Sequence, residues 1–169
     1  MQTPTKRAET LRKLGAMIQD IRVAMLTTID TDGFLRSRPM ATPTTDFDGH
    51  LWFLTRTDAA KVEELERDER VNLSYTDPDR QRYVSISGTA RLVRDRQKAA
   101  ALWSPLHQAW FPQGLNDPEL ALLRVDVEKA EYWDAPSRTM IPLFGLAQTL
   151  ATGEPCQPVG REKIDLATR

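Results

Sequence analysis

The sequence of 169 residues has few of the residue types on which several common chemistries depend. It contains one cysteine, Cys156, and two histidines, His50 and His107, which stand far apart. A lone cysteine forms no internal disulfide and is typical of a reducing compartment, so we expect a cytoplasmic protein. Two separated histidines without neighbouring ligand residues do not make a usual zinc site, and no metal site is predicted.

The chain also lacks an excess of charge and any long hydrophobic run. Its 23 Lys and Arg against 24 Asp and Glu leave a net charge of -1, which favours neither nucleic acid nor an anionic membrane as a partner. The apolar stretches are shorter than the roughly 18–20 residues that span a bilayer, and no signal-peptide pattern is expected. The sequence contains no G-x-S-x-G, Walker or G-x-G-x-x-G motif, so a hydrolase, an NTPase or a dinucleotide-binding protein is not predicted.

Hydrophobic periodicity predicts six strands joined mostly by hairpins, with helices inserted between them. The strands are predicted at 23–29, 34–47, 51–54, 71–76, 84–92 and 123–133, and the helices at 5–20, 61–68, 95–110 and 140–150. This order indicates a mainly β fold with α additions, a six-stranded antiparallel barrel in a single domain. Within it we distinguish an N-terminal helix (1–20), the barrel with its inserted helices (21–136) and a C-terminal helix and tail (137–169).

The segment 51–61 carries the strongest indication of a binding site. A strand ends at Thr55, and a tight connection opens a helix that has Lys61 in its first turn. Thr57 or Asp58 is expected to cap that helix. Its free amides, its dipole and the Lys61 ammonium would converge on one point, which suits a dianionic phosphate. Alternatively, Lys61 merely decorates an exposed helix, whose acidic residues, Glu64 among them, are predicted to form a solvated face.

The second predicted strand places arginines beside this phosphate site. Arg36 and Arg38 precede Pro39, and a proline cannot donate to a β ladder, so the strand is expected to be bulged or at an edge around Pro39. A guanidinium fork suits phosphate, while a lysine supplies a point charge. Together these residues predict a site for a phosphorylated aromatic ligand.

Four motifs occur in an order that resembles the pyridoxamine 5′-phosphate oxidase-like flavoproteins. They are Arg38-Pro39-Met40, Phe53-Leu54-Thr55 with Lys61, the segment 83–90, and Glu131-Tyr132-Trp133. The segments 102–120 and 143–153 are similar to the general stress protein subfamily. The resemblance covers residues 8–165 and implies an FMN-binding split barrel, a homodimer, and FMN in clefts between the two subunits, with FAD as the alternative flavin.

The resemblance also implies a role for each matching residue. Arg38 corresponds to the strand arginine that contacts the FMN phosphate and ribityl groups, and the backbone of Pro39-Met40 approaches the isoalloxazine. Thr55 and Lys61 correspond to the threonine and the phosphate-binding lysine of the strand–helix connection. Trp133 corresponds to the tryptophan that closes over the flavin from the partner chain; read from its position alone, it could equally be a core residue.

Three departures separate the chain from the vitamin B6 enzymes of this family. Ala60 stands where those enzymes have an arginine, and 102–107 lacks their Tyr/Arg/Ser cluster that binds the substrate phosphate. Of their C-terminal Arg-x-x-Asp-Arg signature, only Arg138-Thr139-Met140 remains. We therefore predict an FMN-binding general-stress-type flavoprotein that is not a genuine pyridoxamine phosphate oxidase. It is either a flavin-dependent oxidoreductase of unknown substrate, with no catalytic side chain nominated, or a non-catalytic flavin-binding or buffering protein. A relative that uses deazaflavin or haem is the remaining alternative.

Overall fold

An antiparallel sheet of seven strands dominates the part of the chain that the computed structural model describes, residues 4–43, 47–134 and 161–166. The strands are β1 (Val23–Ile29), β2 (Leu35–Ala41), β3 (His50–Arg56), β4 (Arg70–Asp77), β5 (Arg82–Val93), β6 (Leu120–Asp134) and β7 (Arg161–Asp165). The helices are α1 (Pro4–Ile18), α2 (Ala60–Arg67) and α3 (Arg96–Leu102), with short 3-10 turns at Pro105–Ala109 and Gly114–Asn116. No helix in the described ranges is long and apolar enough to cross a bilayer.

The sheet is left open between two of its strands. Its hydrogen-bonded order is β2-β1-β4-β5-β6-β3, and β7 pairs with the far part of β6. β2 and β3 therefore end the path, and among the described residues they share no ladder, although they approach each other. The predicted mainly β, antiparallel, single-domain fold is confirmed, and its split lies between β2 and β3.

The core fills one side of this curved sheet, because inward side chains alternate with outward ones along each strand. β5 and β6 are long enough to serve both halves of the barrel, and their pairing shifts between Ser87 and Gly88. A Cβ at Gly88 would lie 2.0 Å from the carbonyl oxygen of Asp126, so only glycine allows the strands to come this close at the bend. Among the most deeply buried core side chains are Leu14, Leu26, Phe53, Leu73, Tyr75, Ile86, Leu123 and Val125.

Two predicted elements differ from those observed. The helix predicted at 95–110 is interrupted, because Ser104 precedes Pro105 and adopts an extended conformation (φ -131°, ψ 159°) that a following proline favours. β7 forms within the predicted tail, where five residues gain strand structure by pairing with β6. The helix predicted at 140–150 lies outside the described residues.

Candidate functional site

A cleft of about 300 Å³ lies at the split between β2 and β3. Its walls come from four parts of the chain: β2, β3, the start of α2 and the segment after α3. They contribute Pro39, Met40 and Ala41; Leu54, Thr55 and Arg56; Ala59 and Lys61; and His107, Trp110 and Phe111. The structure thus brings Pro39, Met40, Thr55 and Lys61 together at one cleft, although these predicted residues are spread over three elements.

One end of the cleft is cationic. Lys61 is half-buried, and burial lowers the pKa of its ammonium; the positive charge of Arg38 lowers this pKa as well, while the Glu64 carboxylate opposes both. Burial and a neighbouring cation both disfavour the charged form of Lys61, and an anion bound beside it would offset them. This end of the cleft therefore suits an anionic ligand.

Arg38 is held by a network of buried side chains. Its Nη1 donates to Thr28 Oγ1 at 2.7 Å and its Nη2 donates to Glu64 Oε2 at 2.7 Å. Thr28 Oγ1 in turn donates to the same Glu64 oxygen at 2.5 Å. The prediction that Glu64 belongs to a solvated face is wrong, because only 5% of its side chain is exposed. Its partner stands 26 residues earlier in the sequence, beyond the reach of a helical pattern.

Thr55 presents an unsatisfied hydroxyl at this cleft. Its Oγ1 is buried and has no hydrogen-bond partner within the described part of the chain. A buried polar atom without a partner costs about 1–3 kcal/mol. Of the four such atoms among the described residues, the Thr55 hydroxyl alone belongs to a residue that lines this cleft. The hydroxyl is available to a ligand in the cleft.

The start of α2 also differs from the prediction. The N-cap residue is Ala59, and neither Thr57 nor Asp58 caps the helix. Thr57 instead donates to the Glu119 carboxylate, and Asp58 accepts from Arg56 Nε at 2.9 Å. Because both candidate caps are engaged elsewhere, no described side chain occupies the helix N-terminus, where a phosphate would bind.

β2 confirms one of the two alternatives for Pro39. The strand lies at an edge, and its pairing with β1 runs without a shift from Val23↔Ala41 to Ile29↔Leu35. The alternative of a bulge at Pro39 is wrong, because an edge position already accommodates the missing amide hydrogen. Pro39 and Met40 therefore reach the cleft along a regular strand.

The described residues that line this cleft do not include Arg38, Arg36 or Trp133, although the sequence singled out all three. Arg38 is engaged by Thr28 and Glu64. Arg36 sits on the β1–β2 hairpin and donates to Asp30 at 2.9 Å. Trp133 pairs with Tyr83 of β5 and Arg161 of β7. From Ala121, which pairs with Thr55, to Trp133 the strand runs twelve residues, about 40 Å of contour. Trp133 of the same chain is not among the described residues that line the cleft.

The segment after α3 forms a wall that sequence reasoning missed. Phe111 is buried, while Trp110 is 59% exposed. Arg56 Nη1 donates to the Trp110 carbonyl at 3.3 Å and joins this wall to β3. His107 is buried beside Trp103, with 5.5 Å between ring centroids. The resemblance of this segment to general stress proteins was visible in the sequence, but its return to the β2–β3 split was not.

The residues present fit a phosphorylated aromatic group. Lys61, Arg38, the Thr55 hydroxyl and the uncapped start of α2 match an anion, and the opposite end is apolar and aromatic. A few convergent polar groups on an otherwise apolar concave surface are typical of cofactor sites.

Comparisons with known proteins agree with this arrangement. The family described as pyridoxamine 5′-phosphate oxidase like matches residues 9–157. A general stress FMN/FAD binding protein from Xanthomonas citri is 33% identical over 78% of this chain and 92% of its own, with a TM-score of 0.65. General stress protein 26 from Jannaschia sp. CCS1 shares the fold, with a TM-score of 0.70 and 23% identity over 94% of this chain and 99% of its own.

A curated fungal relative is similar over most of its length as well. Protein bli-3 of Neurospora crassa is 29% identical in an alignment of 165 positions, which covers 92% of this chain and 79% of the relative. The family match extends across the split barrel and the segment after α3. The chain belongs to the pyridoxamine 5′-phosphate oxidase-like family and, within it, to the general stress proteins.

Proposed function

We propose that this chain is a cytoplasmic FMN-binding flavoprotein that holds the FMN phosphate at the cationic end of the β2–β3 cleft. The observation that carries the proposal is the half-buried Lys61 ammonium that lines the cleft; burial lowers its pKa, and the positive charge of Arg38 lowers it further. The unpartnered Thr55 hydroxyl at the same cleft adds a neutral donor. Charge-assisted hydrogen bonds to a phosphate would compensate Lys61 and give the Thr55 hydroxyl a partner, while Arg38 would be shared between the phosphate and Glu64.

The chain's residues would bind and orient the flavin. Lys61 and Arg38 would neutralise the phosphate, and the edge strand would bring the backbone of Pro39-Met40 against the ring. When bound, FMN supplies two-electron redox chemistry, and the protein tunes it by position and electrostatics. FAD is the alternative flavin, since the relative from Xanthomonas citri is named an FMN/FAD binding protein.

We also propose that the protein is a homodimer in which Trp133 of the partner subunit covers the flavin. A chain's own Trp133 is not among the described residues that line its cleft. Large apolar side chains on β1, the β1–β2 hairpin and β5 are exposed, namely Val23, Met25, Phe34, Leu35 and Tyr83. Exposed apolar side chains grouped in this way are typical of protein interfaces.

We do not propose vitamin B6 chemistry. A second phosphate ligand would need its own cluster of basic and hydroxyl groups. Ala60 replaces the arginine expected before Lys61, and the aromatic wall offers His107, Trp110 and Phe111 instead of such a cluster. Pyridoxamine phosphate is therefore not expected to be oxidised at a rate typical of enzymes.

An absorption spectrum of the purified protein tests the cofactor assignment. Oxidised flavin gives two visible bands, deazaflavin mainly one near the violet, and haem a sharp Soret band. Two flavin bands, and restoration of them after unfolding and refolding with FMN, are expected. A deazaflavin or haem spectrum would contradict the proposal. Anaerobic titration with reduced nicotinamides then separates an oxidoreductase from a flavin-buffering protein, since only the former turns over.

A further inference from the structure

His107 is a buried polar residue on the aromatic wall of the cleft, and the proposed contacts to the phosphate do not involve it. It is 9% exposed, lines the cleft and stands in the 3-10 turn Pro105–Ala109. Lys61 and Thr55 line the same cleft from α2 and β3. The cleft thus has a histidine on its aromatic wall as well as a cationic end.

The structure fixes the tautomer of this imidazole. The backbone N–H of Ser104 donates to His107 Nδ1 at 2.9 Å, and Ser104 Oγ lies 3.1 Å from the same nitrogen. A backbone N–H is only a donor, so Nδ1 must accept, and the proton of the neutral ring lies on Nε2. The ring of Trp103 flanks the imidazole and limits its rotation. His107 therefore presents an oriented N–H donor.

This donor has no partner within the described part of the chain. The hydrogen bonds of His107 involve Nδ1 and the backbone, and none involves Nε2. A capping role for His107 at the start of the 3-10 turn accounts for Nδ1 only. Glutamate or glutamine, the usual residues at that position, would cap without placing an aromatic donor at the cleft. The second nitrogen is not among the buried atoms without a partner, and its residue lines the cleft, so Nε2–H is free to donate to a ligand there.

We infer that His107 Nε2–H donates a hydrogen bond to a carbonyl-type acceptor on a planar ligand at the aromatic end of the cleft. Trp110 and Phe111 supply the apolar contact for the flat body of this ligand. The inference rests on the proposed flavin function, and the acceptor belongs either to the flavin ring or to a second planar carbonyl compound, such as a quinone, bound beside it. No bond is made or broken in this contact.

The test compares His107→Phe, which keeps a flat ring without a donor, with His107→Gln. Glutamine can accept from the Ser104 N–H through Oε1 and donate through Nε2, so it should retain most of the binding. FMN, riboflavin and, on the FMN-loaded protein, menadione are the three probes. Loss of a hydrogen bond of about 1–1.5 kcal/mol corresponds to a roughly 5- to 13-fold larger dissociation constant.

The pattern of weakening identifies the acceptor. If it belongs to the flavin ring, His107→Phe weakens FMN and riboflavin by the same factor; if it belongs to a second reactant, only menadione is weakened. Unchanged affinity for all three probes, or an equal loss in His107→Gln, would overturn the inference. Failure of the wild-type protein to bind FMN would instead overturn the flavin function. Should His107→Phe not fold, His107→Glu against His107→Gln gives the same contrast, because both can accept from Ser104 and only glutamine donates.

Discussion

Arg38 Nη2 donates to Glu64 Oε2 across 2.7 Å, so a buried carboxylate already holds the guanidinium assigned to the ligand phosphate. The two side chains are 19% and 5% exposed, which makes this a largely desolvated ion pair. A phosphate at the cationic end would share Arg38 with Glu64. The carboxylate fixes the direction of the guanidinium and at the same time repels the ligand.

Replacing Glu64 by glutamine should therefore change stability and affinity in opposite directions. Glu64→Gln leaves Arg38 uncompensated and should lower the unfolding free energy by about 3 kcal/mol or more without FMN. FMN should bind roughly five- to tenfold more tightly, because a negative charge near the phosphate is removed. Denaturant unfolding and FMN titration measure the two effects.

Glu63→Gln is the matched control for this variant. Glu63 is exposed and pairs with Arg67 one helical turn away, so its replacement should change stability by less than about 0.5 kcal/mol. Weaker FMN binding in Glu64→Gln would mean that positioning of Arg38 outweighs repulsion of the phosphate.

Lys61→Met should weaken FMN binding roughly 10- to 100-fold, since one charge-assisted bond contributes about 1.5–3 kcal/mol. Without FMN the variant should be at least as stable as the wild type, because the half-buried ammonium beside Arg38 is unfavourable. Lys98→Met is the control: Lys98 lies 5.1 Å above the Trp52 ring, away from the cleft residues. If Lys61→Met lowered the unfolding free energy but left FMN affinity unchanged, Lys61 would be an ordinary surface residue of α2 and not a phosphate ligand.

The lowered pKa of Lys61 also predicts a pH dependence. Between this lowered pKa and the usual 10.5, the unfolded chain binds more protons at Lys61 than the folded chain does. The unfolding free energy attributable to Lys61 should therefore rise with pH through that window. In a series of denaturant titrations across alkaline pH, Lys61→Met should lack this contribution. If the unfolding free energy of the two proteins depended on pH in the same way, the pKa of Lys61 would not be lowered in the folded chain.

Thr55→Val tests the unpartnered hydroxyl at nearly constant volume. Removing a buried polar atom without a partner should raise stability by about 1 kcal/mol in the absence of FMN and weaken FMN roughly fivefold. Thr28→Val is the control, because Thr28 Oγ1 is bonded to both Arg38 and Glu64 and its loss should lower stability. If Thr55→Val were more stable but bound FMN with unchanged affinity, the Thr55 hydroxyl would not contact the ligand.

Mixed dimers test the assignment of Trp133 to the partner's flavin. A chain with Lys61→Met and a chain with Trp133→Ala are each defective alone. If Trp133 acts across the interface, a heterodimer of the two contains one intact site, made from Lys61 of one chain and Trp133 of the other. Two-tag purification and flavin fluorescence should then show wild-type affinity at half the sites. Two weakened sites in the heterodimer would place Trp133 in the cleft of its own chain.

The strands were predictable because their signal is local. β1 and β4 show runs of apolar and β-branched residues, and Pro39 restricted β2 to an edge or a bulge, of which the structure has the edge. Two of the predictions that failed depend on partners distant in sequence. Glu64 is buried as the ion-pair partner of Arg38. Thr57 does not cap α2 because its hydroxyl donates to Glu119 instead. Helical periodicity and capping preference describe neighbours along the chain and carry no information on such pairs.

The ratio of FMN to riboflavin affinity tests the central claim most directly. The two ligands share the ring and the ribityl chain, so their difference isolates the phosphate. Calorimetric titration of the wild-type protein should give FMN roughly 100-fold tighter than riboflavin or more, the value of about two charge-assisted bonds. In the Arg38→Ala/Lys61→Met double variant this ratio should fall towards one. Equal affinity of the wild-type protein for FMN and riboflavin would contradict a phosphate site at the cationic end of the β2–β3 cleft.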